Sequence, residues 1–113
     1  MSRNYTQKEL YDYLSENPFN AEVWVGDLDN MNGDDYIFLN YINEINIPSD
    51  NAGCYKTSIQ IDIYTKDFVK RKKIVDYVKK LSQFSITYAP SSEGNYFTAQ
   101  METELFINEY WRL

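Results

Sequence analysis

The sequence predicts a single α+β domain over residues 1–113, a mostly antiparallel β-sheet with two helices packed on one face. Three observations lead to this prediction. A chain of 113 residues suffices for one domain. A hydrophobic share of 43% with 17% aromatic residues is typical of a packed core. Segments in which apolar residues alternate, as in strands, are interspersed with two segments in which apolar residues recur with helical spacing. Two helices on one face of a sheet would bury the apolar stripes of both helices.

The first part of the chain predicts a short helix and two strands. Thr6 opens a capping box, and the helix is expected to end before Asn17-Pro18. Strands are expected at 22–25 and 36–42, which are rich in aromatic and β-branched residues. The polar stretch between these strands is interpreted as a solvated hairpin turn.

The clearest predicted strand lies at 57–65, after a connection at 43–53. Its residues alternate, so that Ile59, Ile61 and Ile63 point to one side of the sheet and polar residues to the other. The alternation predicts a strand with one face against the core.

The last part predicts the main helix at 67–82 and two further strands. The apolar stripe of this helix is expected to include Phe68, Val75 and Val78. The strands are expected at 84–88 and from Tyr96 towards Glu109.

Charge and composition restrict the classes of function. Seventeen acidic residues against eleven basic ones give a net charge of −6, opposite to that of a typical nucleic-acid-binding domain. The single cysteine fits a reducing compartment, most simply the cytoplasm, and no apolar run approaches the length of a membrane span. Since histidine is absent, an enzyme is not expected, and neither is a cofactor.

Two acidic groups are weighed as chemical sites. Counted from Asp27, the calcium-loop template requires glycine and glutamate where Asn32 and Phe38 stand, so no metal site is expected. Glu102 and Glu104 share one strand face at a spacing that some glycosidases use. An exposed polar sheet face is the preferred interpretation of this pair.

Two segments of opposite charge are candidate contact surfaces. Seven of the eleven basic residues lie between Lys66 and Lys80. Separated patches of opposite sign suit a head-to-tail interface between copies of one chain. The candidate interface residues are Asp27, Asp29, Asp34 and Asp35 in the acidic turn and Lys66, Lys70, Arg71 and Lys73 on the basic helix face.

Two loops complete the candidate interface, because loops often carry contacts that a scaffold positions. Their residues are Pro48, Ser49, Asp50 and Asn51 in the first loop, and Ser91, Ser92, Glu93 and Asn95 in the second. Eleven tyrosines and two tryptophans exceed the needs of a small core, which also favours a covered surface.

The segment TSIQIDIYTKDFVKRKKIVDYVKKL, residues 57–81, resembles the tail terminator (tail completion, or tail-to-head joining) proteins of long-tailed bacteriophages. The resemblance extends to the order and length of elements over most of the chain. It implies a small α+β subunit of a hexameric ring at the head-proximal end of the tail tube. There the ring would stop tube growth and meet the head connector, or stopper, protein.

The resemblance further implies that the chain reaches the virion neck after assembly in the host cytoplasm. An acidic ring would let the genome DNA pass without specific binding, since like charges repel. Two alternatives remain open: another neck or head-completion protein, and a small acidic inhibitor or immunity protein that binds one basic partner inside the cell.

Overall fold

The computed structural model describes residues 4–26, 32–48, 55–90 and 95–109, which form a six-stranded sheet and two helices. In chain order the elements are β1 (Asn4–Thr6), α1 (Gln7–Ser15), β2 (Glu22–Val25), β3 (Asp35–Pro48), β4 (Tyr55–Thr65), α2 (Phe68–Val78), β5 (Ser85–Pro90) and β6 (Phe97–Glu109).

The strands lie in the order β1-β6-β4-β3-β2, with β5 also beside β6. β5 pairs with the first residues of β6 and β1 with its last, so the two share the outer edge of that strand. The β3·β4, β4·β6 and β5·β6 pairs are antiparallel, whereas β1·β6 and β2·β3 are parallel. The predicted α+β class with a mostly antiparallel sheet is confirmed.

The main core lies between the sheet and both helices. The register places Leu39, Ile61 and Met101 side by side on one face, as the alternation of 57–65 predicts. Buried residues of the two helices pack against this row. The helix-side contributions are Leu10 and Leu14 from α1 and Ile74, Val75 and Val78 from α2.

Two tyrosines join the helices to each other. The rings of Tyr13 and Tyr77 stack with centroids 4.5 Å apart. The Tyr13 hydroxyl donates to the Tyr77 carbonyl at 2.6 Å, and the Tyr77 hydroxyl donates back to the Tyr13 carbonyl. Burial, and secondarily the charge of Glu16, raises the pKa of Tyr77. Its hydroxyl therefore stays protonated and able to donate at neutral pH.

Asn17 organises the connection from α1 to β2. Its side-chain amide donates to the carbonyls of Leu14 and Ala21, and its Oδ1 accepts from the amides of Phe19 and Ala21. Asn20, in the same connection, has a φ of 59°, a conformation that asparagine tolerates better than most residues. The buried Asn17 thus satisfies the backbone of the turn that ends the helix.

The opposite face of the sheet carries no helix among the described residues. At one end it bears a cluster of Tyr36, Phe38, Tyr64 and Tyr96. Gly33 lies over this cluster, since its N–H donates to the Tyr36 hydroxyl and its carbonyl accepts from the Tyr96 hydroxyl at 2.6 Å. We call this side of the sheet the helix-free face.

The interpretation of 27–35 as a hairpin turn is wrong, because β2 and β3 are parallel. Glu22 pairs with Tyr36 and Val25 with Leu39, so the chain must return along the full length of β2 before β3 begins. Four residues of strand span roughly 13 Å, a distance that the nine-residue connection can cross. Residues 27–31 of this connection lie outside the described part.

Three further boundaries differ from the sequence prediction. β1 is an additional strand, too short for a periodic pattern. β3 continues to Pro48, well into the predicted connection, because it pairs with β4 as far as Tyr55. Helix α2 is shorter than predicted: Asp67 is its N-cap and accepts from the amides of Val69 and Lys70, and the helix ends at Val78.

Candidate assembly surfaces

The fold brings the two oppositely charged segments together within one chain. Lys70 Nζ lies 2.9 Å from Asp35 Oδ2, and Lys66 Nζ lies 3.5 Å from Asp34 Oδ1. Asp35 opens β3 and its Cα partner Thr65 closes β4, so antiparallel pairing places Asp34 and Asp35 beside the start of α2. These acids and bases are distant in sequence but adjacent in space.

Charges that pair inside one subunit contribute less to the attraction between neighbouring subunits in a head-to-tail interface. The Asp35 side chain is only 10% exposed and also accepts from the Thr65 hydroxyl. Its hydrogen bond to Lys70 raises the pKa of that lysine, against a smaller opposing effect of burial. The Lys70 and Asp35 charges are matched inside the subunit and leave little attraction for a neighbour.

Arg71 is surrounded by aromatic rings rather than by acids. Its guanidinium carbon lies 4.9 Å from the Tyr88 ring centroid, 5.0 Å from that of Phe68 and 5.7 Å from that of Phe97. Nη1 donates to the Thr98 carbonyl at 3.2 Å. Contacts of this kind with several rings stabilise the cation and fix its position.

The remaining lysines of α2 and the turn after it point away from the sheet. Lys73, a predicted interface residue, is exposed. The same holds for its neighbours on this surface, Lys72, Lys79 and Lys80. The basic helix face is therefore divided between paired residues near Asp34 and Asp35 and solvent-facing residues further along.

The structure locates part of the other predicted interface residues. Pro48 is the last residue of β3 rather than a loop residue, and Asn95 lies exposed in the turn before β6. The others lie outside the described residues. They are Asp27, Asp29, Ser49, Asp50, Asn51, Ser91, Ser92 and Glu93.

An exposed apolar surface at the start of α2 is a feature that the sequence analysis missed. Phe68 is 60% exposed, Val69 62% and Tyr88 48%. The prediction that Phe68 faces the core is wrong, because it packs edge-on against Phe97 at the rim of the sheet. The exposure of Val69 could have been predicted from the sequence. It precedes Lys72 by three residues and Lys73 by four, so helical spacing places it on the same face as these lysines.

We call this surface the aromatic corner. It comprises Phe68, Arg71, Tyr88 and Phe97, with the exposed Val69 next to Phe68 in the sequence. Aromatic residues around an arginine are the composition that dominates binding energy in many protein interfaces.

The helix-free face is acidic beyond its aromatic end. Glu102 and Glu104 are exposed there, as expected for a polar sheet face. The neighbouring Asp62 accepts from the side-chain amides of Asn40 at 3.2 Å and Gln60 at 2.9 Å. These contacts hold the Asp62 carboxylate on the helix-free face.

In the described part of the chain, no group of three or more histidine, cysteine or acidic side chains is arranged to hold a metal ion. Within the same residues, neither helix is long and apolar enough to cross a membrane.

No protein-family model matches the sequence, and a search of the curated proteins finds no match. The family expectation therefore rests on the resemblance of residues 57–81.

Proposed function

We propose that this chain is a non-enzymatic phage structural protein of the tail terminator type. Copies of it form a ring, a hexamer by the resemblance, that caps the head-proximal end of the tail tube. The ring ends tube growth and provides the joint to the head connector. The virion neck is its final location.

The α+β fold is the observation that supports this proposal best. The resemblance implies a small α+β subunit, and residues 57–81 form the central strand β4 and the helix α2 that covers it. β4 is hydrogen-bonded on both sides, to β3 and β6. The similar segment is thus the scaffold of the domain and not a peripheral addition.

The exposed surfaces fit a protein that works by contact with other proteins. The aromatic corner leaves large apolar side chains in water in the isolated subunit, and such side chains are usually covered in the working assembly. The carboxylates of Asp62, Glu102 and Glu104 make the helix-free face unattractive to phosphate groups. We propose that the DNA passes the ring without specific binding for this reason.

Tube capping is the decisive test. The tail tube protein of the phage that encodes this chain would be polymerised with and without the purified chain, and tube lengths measured in negative-stain images. We expect shorter tubes with this chain at one end. Unchanged tube lengths, with no chain at the ends, would contradict the terminator proposal.

The acidic helix-free face also favours a second candidate, an intracellular inhibitor of a basic protein. Native mass spectrometry over a concentration series separates the two. Six copies of a 13.4 kDa chain form a ring of about 80 kDa. An inhibitor is instead expected to remain a monomer until its target is added.

A further inference from the structure

Large apolar side chains are exposed at two opposite edges of the sheet. Trp24, 40% exposed, is on the edge strand β2. Tyr88 is on β5 at the other edge, and Phe68 at the start of α2 lies near it, since Arg71 contacts both rings. A contact between copies that covers both sets must join one edge to the opposite edge of the next copy.

Both edge strands leave hydrogen-bonding groups unused. Among the described residues, β2 pairs only with β3 and β5 only with β6, so each has one row of backbone N–H and C=O groups facing outward. Neither pairing contains a register shift, and the only proline of the two strands is Pro90, the last residue of β5. Residues 22–25 of β2 and 85–89 of β5 therefore carry no bulge or proline that would block pairing between molecules.

The strand directions suit such a contact. β2 runs parallel to β3, β3 antiparallel to β4, β4 antiparallel to β6, and β6 antiparallel to β5. It follows that β2 and β5 run in opposite directions within one subunit. When copies are related by rotation about an axis roughly along the strands, β2 of one copy meets β5 of the next as an antiparallel pair.

The side chains at the two edges also match by face. Val23 and Val25 pack towards the helix side at one edge, and Tyr88 lies on that side at the other, aligned with Ala99. Trp24 would meet the helix-free side of β5, where Thr87 and Ala89 are small and exposed.

We infer that β2 of one copy pairs antiparallel with β5 of the next, so that a continuous sheet runs through the ring. This inference rests on the proposed ring and identifies its seam. The occupant of each edge is a second copy of this chain, and the contact is heterologous, which closes a ring when the rotation between copies allows it. Closure pairs the outward-facing backbone groups of β2 and β5.

Disulfide trapping tests the seam. In a Cys54→Ser background, Glu22→Cys is mixed in turn with a second chain that carries Ser85→Cys, Thr87→Cys or Ala89→Cys, which together sample the registers on the helix-free side. Directly opposed positions of a non-hydrogen-bonded pair have Cβ atoms about 4.5 Å apart, at the upper end of the range for a disulfide. We expect at least one mixture to give inter-chain dimers under mild oxidation, while each chain alone gives none.

Gln100→Cys is the matched control, because Gln100 is exposed on the same face but lies on the inner strand β6. It should not cross-link with Glu22→Cys. Dimers of Glu22→Cys with itself would indicate an isologous β2 contact and overturn the inference. A chain that remains monomeric at every concentration would overturn it too.

Loss of the aromatic corner gives a second readout. Phe68→Ser with Tyr88→Ser should weaken self-association at least about tenfold in sedimentation analysis, as expected for the loss of two central anchors. Lys73→Ser, exposed on the same helix, should not. Unchanged association of a folded double variant would contradict the inference. Tubes that are capped without β2–β5 cross-links would refute this seam but not the terminator proposal.

Discussion

Asn17 shows how one side chain can determine a local structure. It is buried and makes four hydrogen bonds to the backbone of the turn between α1 and β2. We expect Asn17→Ala to lower the free energy of unfolding by about 2–3 kcal/mol, because buried backbone groups lose their partners. Urea unfolding would measure this. Asn32→Ala, at an exposed position, is the control and should change stability little; an equal loss in both variants would contradict the argument.

Lys70 provides a pH-dependent contribution at the same scale. Its pKa is raised above 10.5, first by the hydrogen bond to Asp35. A raised folded pKa gives stability that is present below 10.5 and is lost as the pH rises through the folded value. We expect Lys70→Met to cost about 1 kcal/mol at neutral pH, and the difference from the unaltered protein to shrink above pH 10.5.

Lys73→Met is the control for this measurement, since Lys73 is exposed on the same helix. It should leave stability nearly unchanged at either pH. A difference between Lys70→Met and the unaltered protein that grows with rising pH would show that the linkage has the wrong sign.

At the scale of elements, the two helices depend on the tyrosine pair between them. Each hydroxyl donates to the partner's backbone carbonyl, so Tyr77→Phe should lower the free energy of unfolding by about 1 kcal/mol while the rings stay stacked. Chemical denaturation would measure it. Tyr88→Phe keeps the ring at an exposed site and should have almost no effect. Equal effects would mean that the hydroxyl bonds contribute nothing specific.

The sequence predicts best the elements whose side chains alternate against a core. Ile59, Ile61 and Ile63 are fully buried as the pattern requires. The parallel β2·β3 pair could not be predicted, because pairing direction depends on contacts between residues distant in sequence, such as that of Tyr96 with Gly33. Phe68 was misplaced because helical spacing alone does not show that the sheet ends beneath the first turn.

At the scale of the whole molecule, charge is arranged differently from its order in the sequence. Asp34 and Asp35 pair with Lys66 and Lys70 inside the subunit, while Asp62, Glu102 and Glu104 lie on the helix-free face. Sequence separation cannot reveal this, since the β3–β4 register brings the two segments together. The sequence alone shows that basic residues cluster on α2, but not which of them pair inside the subunit. The aromatic corner is formed by residues that only the fold brings together.

This arrangement predicts which charge reversals disturb the fold. Lys70→Glu should lower stability, because it places a second carboxylate beside the nearly buried Asp35. Lys73→Glu should leave the fold intact. Thermal unfolding followed by circular dichroism would compare them. If both variants melt alike, the Asp35–Lys70 pair is not the internal contact described here.

The pairing of β1 with β6 has a consequence for how the chain is made. Asn4 lies beside Phe106, so the first strand closes a loop of about 100 residues. On the ribosome, β1 emerges about 100 residues before the part of β6 with which it pairs, and contacts of such long range slow folding. β1 therefore remains without this partner until β6 has been synthesised. The β1·β6 pair is thus among the last contacts that the sheet can form.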